Sequence, residues 1–168
     1  MRLDLSLLGL FAVSVLADGA AIVAAMDEIA AANTELGETV ASWSGGLFGT
    51  LPIIVQSTKL LVKINEATGI AQDSAPLNSI EAITVALSTQ ELAGGVETTL
   101  GNVVGAKPKF DKLLLSPIIL LNLKQEKSAT DKFSAAVVEK VPESLKGAAG
   151  TLVGRIETAF DNAVATYS

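Results

Sequence analysis

The stretch Ile22–Trp43, IVAAMDEIAAANTELGETVASW, decides the fold class of this chain. Its mainly apolar stripe recurs at alternating steps of four and three residues, which places the side chains on one face of an α-helix. The stripe consists of Ile22, Met26, Ile29, Asn33, Leu36, Val40 and Trp43. Ser44-Gly45-Gly46 then ends the periodic segment. The stretch therefore predicts a long amphipathic helix with one polar position, Asn33, on its buried side.

Similar stripes follow along the rest of the chain. The second is predicted to contain Leu47, Leu51, Ile54, Thr58, Leu61, Asn65 and Thr68. A third, over 80–103, begins after a capping-box pattern at Asn78 and Glu81. The fourth is predicted to contain Ile118, Leu121, Gln125, Ser128, Phe133, Ala136 and Val137. The last contains Leu145, Ala149, Leu152, Ile156, Ala159, Phe160, Ala163 and Tyr167.

These stripes predict an all-α fold. No stretch shows the strict alternation of a β-strand, and the connections are short, which favours antiparallel neighbours. Ser116-Pro117 interrupts one helix and restarts it, with Ser116 as N-cap and Pro117 at the first helical position. We expect a single domain over 18–168, an antiparallel bundle of about five long amphipathic helices, one of them broken near Ser116-Pro117.

Composition narrows the possible functions. The 168-residue chain contains neither cysteine nor histidine, which excludes disulfides, thiolate or imidazole metal sites and the Ser-His-Asp triad. A net charge of −6 and an aromatic content of 4% argue against nucleic acid as a partner. The chain has no phosphate-binding glycine loop, and no motif places a pair of its carboxylates for catalysis. We therefore predict no enzyme, no metal and no cofactor.

The N-terminal residues resemble a secretory signal. Arg2 precedes an apolar run, Leu5–Leu16, and Val15-Leu16-Ala17 fits a cleavage site before Asp18. We predict a signal peptide over residues 1–17 and a secreted protein without a transmembrane anchor. The alternatives are cleavage after Gly19, a first core helix, or a membrane anchor that Asp18 and Gly19 would interrupt.

Several stripes carry a lone polar residue at an inward position, Asn33 and Asn65 among them. Such residues either pair with each other, with the backbone or with water, or they mark a lumen with an aliphatic wall and a few polar contacts. The second interpretation suits a lipid tail and its head group. The predicted ligand-binding residues are Ile29, Leu36, Leu61, Asn65, Leu87, Leu121, Ser128 and Ile156. The predicted ligand is a fatty acid or another apolar molecule.

The order of motifs resembles a family of secreted fungal proteins, the hydrophobic surface-binding protein A and cell-wall galactomannoprotein family. The resemblance covers the chain after the predicted signal peptide and is clearest in its last third. The N-terminal helix, Ile29–Trp43, is also similar. The motifs that carry it in the last third are Lys107–Lys112 (KPKFDK), Leu121-x-x-Lys124, Ala129–Ser134 (ATDKFS), Val141-Pro142 and Ile156-x-x-x-Phe160-x-x-Ala163-x-x-x-Tyr167.

The resemblance implies an extracellular helical bundle that is not an enzyme. Family members adsorb to hydrophobic solid surfaces, recruit polyester-degrading hydrolases to them and bind fatty acids in an internal cavity. Cell-wall members carry Ser/Thr-rich tails, whereas this sequence ends at Tyr167-Ser168, so attachment by that route is not expected. The alternative function is a cell-wall structural or host-interaction protein with a protein or polysaccharide partner.

Overall fold

The computed structural model describes residues 17–168, so the predicted signal peptide lies outside the described residues except for Ala17. The helices are α1 (Ala17–Ser42), α2 (Thr50–Asp73), α3 (Ser79–Gly105), α4 (Lys107–Lys112), α5 (Ser116–Lys140) and α6 (Lys146–Tyr167). Short 3-10 turns, Leu47–Gly49 and Glu143–Leu145, lead into α2 and α6. The described chain contains no strand, and its five long helices confirm the predicted all-α fold.

Local sequence signals explain the helix starts. The predicted capping box forms at α3, where Asn78 Oδ1 accepts hydrogen bonds from the backbone N–H groups of Ile80 and Glu81, and Glu81 Oε2 accepts from the Asn78 N–H. Leu115 rather than the predicted Ser116 is the N-cap of α5, so Pro117 lies in the first turn at the second helical position instead of the first. The break before α5 is sharp because Leu114 adopts a φ of 58°, in the left-handed region.

The long helices form a closed ring in which α1 packs on α2, α2 on α5, α5 on α6, α6 on α3, and α3 on α1. Successive long helices alternate in direction along the chain. Neighbours in the ring do not all alternate, because α2 runs parallel to α5, and α3 runs parallel to both α1 and α6. We call the end where α1 begins the lower end. There the Leu77 N–H donates to the carbonyl of Lys140 over 2.8 Å.

A glycine brings α1 close to α3. A Cβ at Gly37 would lie 2.5 Å from Thr99 Oγ1, which is closer than real Cβ atoms approach a neighbour. Thr99 Oγ1 instead donates to the carbonyl of Asn33 over 3.0 Å, and Asn102 Nδ2 donates to the carbonyl of Gly37 over 3.2 Å. These contacts fix the register of two parallel helices and close one side of the ring.

The buried faces confirm some predicted stripes and correct others. Every member of the α1 stripe is buried, as are the last positions of the α6 stripe from Ile156 to Tyr167 except Ala159, which is half-buried. The α2 stripe is wrong by one position, since Ile53, Ser57, Leu60 and Ile64 are buried whereas Leu51 and Ile54 are exposed. Apolar residues follow one another at 53–55 and 60–62, so spacing alone does not decide which of them faces inward.

The fourth stripe is also partly wrong. Its upper members, Ile118 and Leu121, are exposed, and the buried face of α5 contains Ile119, Leu123 and Glu126 instead. Phe133, Ala136 and Val137 are buried as predicted. The error has the same cause as in α2, because Ile118–Leu121 is an unbroken apolar run.

One stretch of the described chain, Leu47–Asp73, is long and apolar enough to cross a membrane by length and composition alone. Its buried residues pack in the bundle, against α1 and α5. Lys59 and Lys63 lie along its outer side in ion pairs with Glu35 and Glu28 of α1. The apolar composition is that of a core helix with several exposed apolar residues. The absence of a transmembrane anchor stays a prediction.

Candidate functional site

The helical ring encloses a cavity of about 290 Å³. This volume is near the lower end of the range of about 300–1,000 Å³ for small-molecule sites. All five long helices contribute to the wall, for example with Ile29 from α1, Ile64 from α2, Leu100 from α3, Val137 from α5 and Ile156 from α6. Most of the wall is aliphatic. It is therefore suited to an unbranched hydrocarbon chain, which offers only apolar surface.

The cavity opens to solvent beside the lower half of α3. Ile83 and Leu87 line the cavity although 54% and 60% of their surfaces are exposed. Across from them, Ala148 at the start of α6 also lines the cavity and is exposed. Large apolar side chains that are exposed and also line a cavity mark a mouth through which an apolar ligand can enter. The mouth lies between the neighbouring helices α3 and α6.

One ionisable side chain, Glu126 of α5, lines the cavity within the described chain. Its residue is 5% exposed, and Ser57 Oγ of α2 donates a hydrogen bond to Glu126 Oε1 over 2.6 Å. Burial raises the pKa of the Glu126 carboxyl from its ordinary 4.5 to about 7, while the hydrogen bond from Ser57 opposes this rise. No lysine or arginine from residues 17–168 lines the cavity.

A second polar group, the amide of Asn33, is buried in the same wall. The residue is 3% exposed and lines the cavity. Its Nδ2 has no hydrogen-bond partner among residues 17–168, so a buried donor is left unsatisfied. The remaining polar residues of the wall are Thr89, Gln90, Thr99, Thr130 and Ser134.

Comparison with known proteins gives the family. The sequence profile described as Hydrophobic surface binding protein A matches residues 19–139. The chain belongs to this family. A curated relative, cell wall mannoprotein 1 of Aspergillus fumigatus, is 27% identical over 145 residues, which are 86% of this chain and 50% of that protein. Cell wall mannoprotein 1 of Aspergillus flavus is 30% identical over 111 residues, 66% of this chain and 41% of that protein. The chain thus spans about half the length of these relatives or less.

Solved structures show the same helical fold. The crystal structure of AFMP4P in complex with palmitic acid has a TM-score of 0.86 at 23% identity, over 89% of this chain and 99% of that chain. Ligand binding domain 2 of the Penicillium marneffei MP1 protein, complexed with multiple arachidonic acids, has a TM-score of 0.84 at 19% identity, over 89% of this chain and 95% of that chain.

Four of the eight predicted ligand-binding residues line the cavity of this family member: Ile29, Leu36, Leu87 and Ile156. They come from α1, α3 and α6. Spacing placed most lining residues of α1 and α6 on the inner side. In the lower half of α3 it was wrong, since the predicted Ile80, Ile83 and Leu87 are exposed and the buried positions include Ala82 and Val85. The convergence of the four lining residues on one cavity is a finding of the structure. Their contact with a ligand stays a prediction.

The other four predicted residues lie elsewhere. Leu61, Asn65 and Ser128 share a shallow outer groove between α2 and α5, where Asn65 Nδ2 donates to the carbonyl of Leu61 over 2.9 Å. Leu121 is 55% exposed and lines neither the cavity nor the groove. The expectation that these residues face the lumen is wrong because the buried faces of α2 and α5 are displaced from the predicted stripes.

Sequence spacing missed Glu126. The buried positions of α5 follow one another at steps of three and four through Ile119, Leu123, Glu126, Ala129 and Phe133. This stripe was visible in the sequence, but a carboxylate at its centre made it less apolar than its neighbour. Spacing therefore assigns Glu126 to no site, although it is the one ionisable side chain of residues 17–168 that lines the cavity.

Proposed function

We propose that this family member is a secreted, non-enzymatic protein that binds a fatty-acid-like lipid inside the helical ring. The observation that carries the proposal is an aliphatic cavity with a mouth between α3 and α6. The complexes of two structural neighbours with palmitic acid and with arachidonic acids support it. The signal pattern over residues 1–17 and the cell wall mannoproteins among the relatives support an extracellular or cell-wall location.

The energetics of such binding are favourable. Each methylene that leaves water contributes about 0.8 kcal/mol before the cost of association, which is about 4–15 kcal/mol. A dozen methylenes supply about 10 kcal/mol, of which about 6 kcal/mol remains after the smallest of these costs. Micromolar affinity, about 8.2 kcal/mol, therefore requires about fifteen buried carbons, the length of a long-chain fatty acid.

A charge in the lumen is expected to abolish uptake. Leu152 lines the cavity and is half-buried, so Leu152→Asp places a carboxylate against the hydrocarbon chain. We expect the affinity for hexadecanoic acid to fall by at least about a hundredfold, because an unpaired charge there must be desolvated when the ligand binds. Isothermal titration calorimetry with delipidated protein measures the change, and circular dichroism confirms that the variant is folded.

The matched control is Leu121→Asp. It makes the same chemical change on a helix of the same ring, at a side chain that is 55% exposed and outside the cavity. Its affinity is expected to stay within about twofold of the unmodified protein, since surface substitutions have small effects. Equal losses in both variants would contradict an internal binding site.

A second function, adsorption to hydrophobic solid surfaces, is favoured by exposed apolar residues near the upper ends of α2 and α5. We call them the upper patch, which consists of Leu47, Phe48, Leu51, Val55, Leu114, Ile118 and Leu121, with exposures from 48% for Ile118 to 87% for Phe48. The bond between Ser57 and Glu126 sets the register of these parallel helices, so Leu51 and Ile118 both lie about two turns above it. Large exposed apolar patches mark interaction surfaces.

Charges in the upper patch are expected to prevent adsorption. The double substitution Phe48→Asp with Leu51→Asp should reduce binding to polystyrene beads by about tenfold or more and leave lipid uptake unchanged, because neither side chain lines the cavity. Thr58→Asp, also on the exposed surface of α2, adds a charge outside the patch and serves as the control. Unchanged adsorption of the double variant would overturn this assignment.

Recruitment of a polyester-degrading hydrolase stays a prediction from the family resemblance. Co-sedimentation of such a hydrolase with polyester beads, with and without a coat of this protein, tests it. A cell-wall structural or host-interaction role with a protein or polysaccharide partner is the alternative. Binding to isolated cell-wall polysaccharide in the absence of any lipid would favour that alternative.

A further inference from the structure

Asn33 and Glu126 lie at nearly the same height in the cavity, on α1 and α5. Lys59 of α2 pairs with Glu35 of α1, and Ser57 of α2 bonds to Glu126 of α5. These two contacts place Asn33 and Glu126 within about one helical turn of the same level, since a turn rises about 5.4 Å. Both residues line the same cavity from different helices.

Each of the two side chains has an unused hydrogen-bonding group. The Asn33 Nδ2 donor has no partner within residues 17–168. The carboxyl of Glu126 has a hydrogen bond to Oε1 from Ser57, and Oε2 has none from the described residues. The Asn33 Nδ2 atom lies beside Gly95 of α3 and has almost no accessible surface, so a ligand head group at this level would meet the carboxyl of Glu126 and not this donor. A hydroxyl can donate to the free oxygen of that carboxyl or accept from its protonated form.

A carboxylate head group meets a different environment. No cationic side chain of the described chain lines the cavity, and Glu126 is itself acidic. Two carboxylates that share a site of low polarity cannot both stay ionised without a large cost, so one proton must be held between them. A fatty acid can therefore use this site only while either its own carboxyl or that of Glu126 is protonated.

We propose that Glu126 forms the head-group subsite of the cavity and makes this subsite select neutral head groups, namely hydroxyls and protonated carboxyls, over carboxylates. The inference rests on the proposed binding of a lipid chain in the cavity. It adds the chemical class of the head group and the residue that discriminates.

The charged groups on the surrounding helices lie outside the cavity: many pair with one another at the surface, and Lys124 and Lys132 of α5 line the outer groove between α2 and α5. The pairs are Lys59–Glu35, Lys63–Glu28, Lys63–Glu66, Lys127–Asp131, Lys127–Asp161, Arg155–Glu97 and, on α4, Lys107–Asp111. Ser57 is the one group besides burial that shifts the pKa of Glu126. The carboxyl of Glu126 thus responds to its buried position and to whatever occupies the cavity.

Selection by Glu126 has a defined pH dependence. Since burial raises the pKa of Glu126 to about 7, the site supplies the shared proton up to neutral pH. Above that pH a fatty acid must take a proton from solvent, so its affinity falls about tenfold for each further pH unit. A fatty alcohol has no such requirement, because its hydroxyl can donate to an ionised Glu126.

The test is displacement of the neutral fluorophore N-phenyl-1-naphthylamine by dodecanoic acid and by dodecan-1-ol, at about pH 6 and about pH 8.5. For the delipidated full chain, the affinity for the acid should fall about tenfold or more at the higher pH, and that for the alcohol should stay within about threefold. Glu126→Gln should restore acid binding at the higher pH, because a neutral amide replaces the carboxylate. This gain of affinity is not an effect that misfolding produces.

Glu139→Gln removes the same charge from an exposed position of α5 and should behave like the unmodified protein. Acid affinity that does not depend on pH, or a Glu126→Gln variant with the unmodified pH dependence, would overturn the head-group assignment while leaving lipid binding intact. If neither the acid nor the alcohol displaces the fluorophore at any pH, the proposed lipid-binding function itself fails.

Discussion

Phe110→Ala is expected to lower the free energy of unfolding by about 3–5 kcal/mol, the range for large aromatic side chains removed from a packed core. Phe110 lies on the short helix α4 and is 1% exposed. Its ring centroid is 4.4 Å from that of Trp43, at the end of α1, and 6.4 Å from that of Tyr167, at the end of α6. The side chain therefore packs between α4, the end of α1 and the end of α6, and its removal leaves a void between them.

The matched control is Phe48→Ala, which deletes the same atoms from a side chain that is 87% exposed. Because both variants change the unfolded chain in the same way, the difference between them reports the folded state. We expect Phe48→Ala to stay within about 0.5 kcal/mol of the unmodified protein in urea denaturation. A loss below about 1 kcal/mol for Phe110→Ala would show that the upper end is not packed as described.

The aromatic cluster also separates stability from binding. Phe110, Trp43 and Tyr167 do not line the cavity, whose wall includes two other aromatic residues, Phe133 and Phe160. The Tyr167 hydroxyl donates to the carbonyl of Val103 over 2.7 Å, and its burial raises the pKa of the phenol. Phe110→Ala should thus weaken the fold while the folded fraction keeps its affinity for lipid.

The sequence predicted the fold better than the site. In α1 each apolar position of the stripe except Ile22, which Val23 follows, has polar or small neighbours. One spacing is therefore clearly the best, and every predicted residue is buried. The α3 start was predictable because Asn78 and Glu81 form their capping box with local groups alone. Such signals depend on a few residues that are close in sequence.

The faces of α2 and α5 could not be predicted in the same way. Their apolar residues occur in runs, so several rotations of the helix bury similar apolar area, and tertiary packing decides among them. The decisive features are small or polar residues such as Ser57 and Ala67 in α2 and Glu126 in α5, which hydrophobic spacing counts as unfavourable. The cavity exists because five helices pack into a ring. Residue spacing along one helix does not indicate how five helices pack around a central space.

The ring also explains why a buried carboxyl occurs in a protein with so apolar a core. Glu126 faces a cavity and receives a hydrogen bond from Ser57, so the chain avoids packing it against a continuous apolar wall. The cost of burying an ionised group is reduced when the group takes up a proton. Protonation of Glu126 is accordingly linked to folding.

This linkage predicts that stability falls with rising pH. The pKa of Glu126 is raised by burial from its ordinary 4.5 to about 7 in the folded protein. A carboxyl whose pKa is higher in the folded protein stabilises the fold in full at a pH below its unfolded-state pKa. This stabilisation is lost as the pH rises through its folded-state pKa. Between these limits the folded state holds more protons than the unfolded state, and the contribution of Glu126 amounts to about 3 kcal/mol. The hydrogen bond from Lys107 lowers the pKa of Asp111, so this carboxyl changes the pH dependence of stability only at a pH below the range in which Glu126 titrates.

Glu126→Gln should remove this dependence of stability on pH. The amide does not titrate, and its oxygen can still accept the hydrogen bond from Ser57, so the free energy of unfolding should vary little between about pH 5 and about pH 8. At about pH 8 the variant is then expected to exceed the unmodified protein by up to about 3 kcal/mol. Glu139→Gln, at an exposed position of the same helix, should retain the original pH dependence.

Urea denaturation of delipidated protein across this pH range measures the effect. Lipid must be removed first, because a ligand that binds only the folded state adds its own stabilisation. Adding dodecan-1-ol back should raise stability at both ends of the range, whereas dodecanoic acid should raise it mainly at the lower pH, where the shared proton is present. Stability of the unmodified protein that rises from about pH 5 to about pH 8 would show that the Glu126 carboxyl is not buried as described.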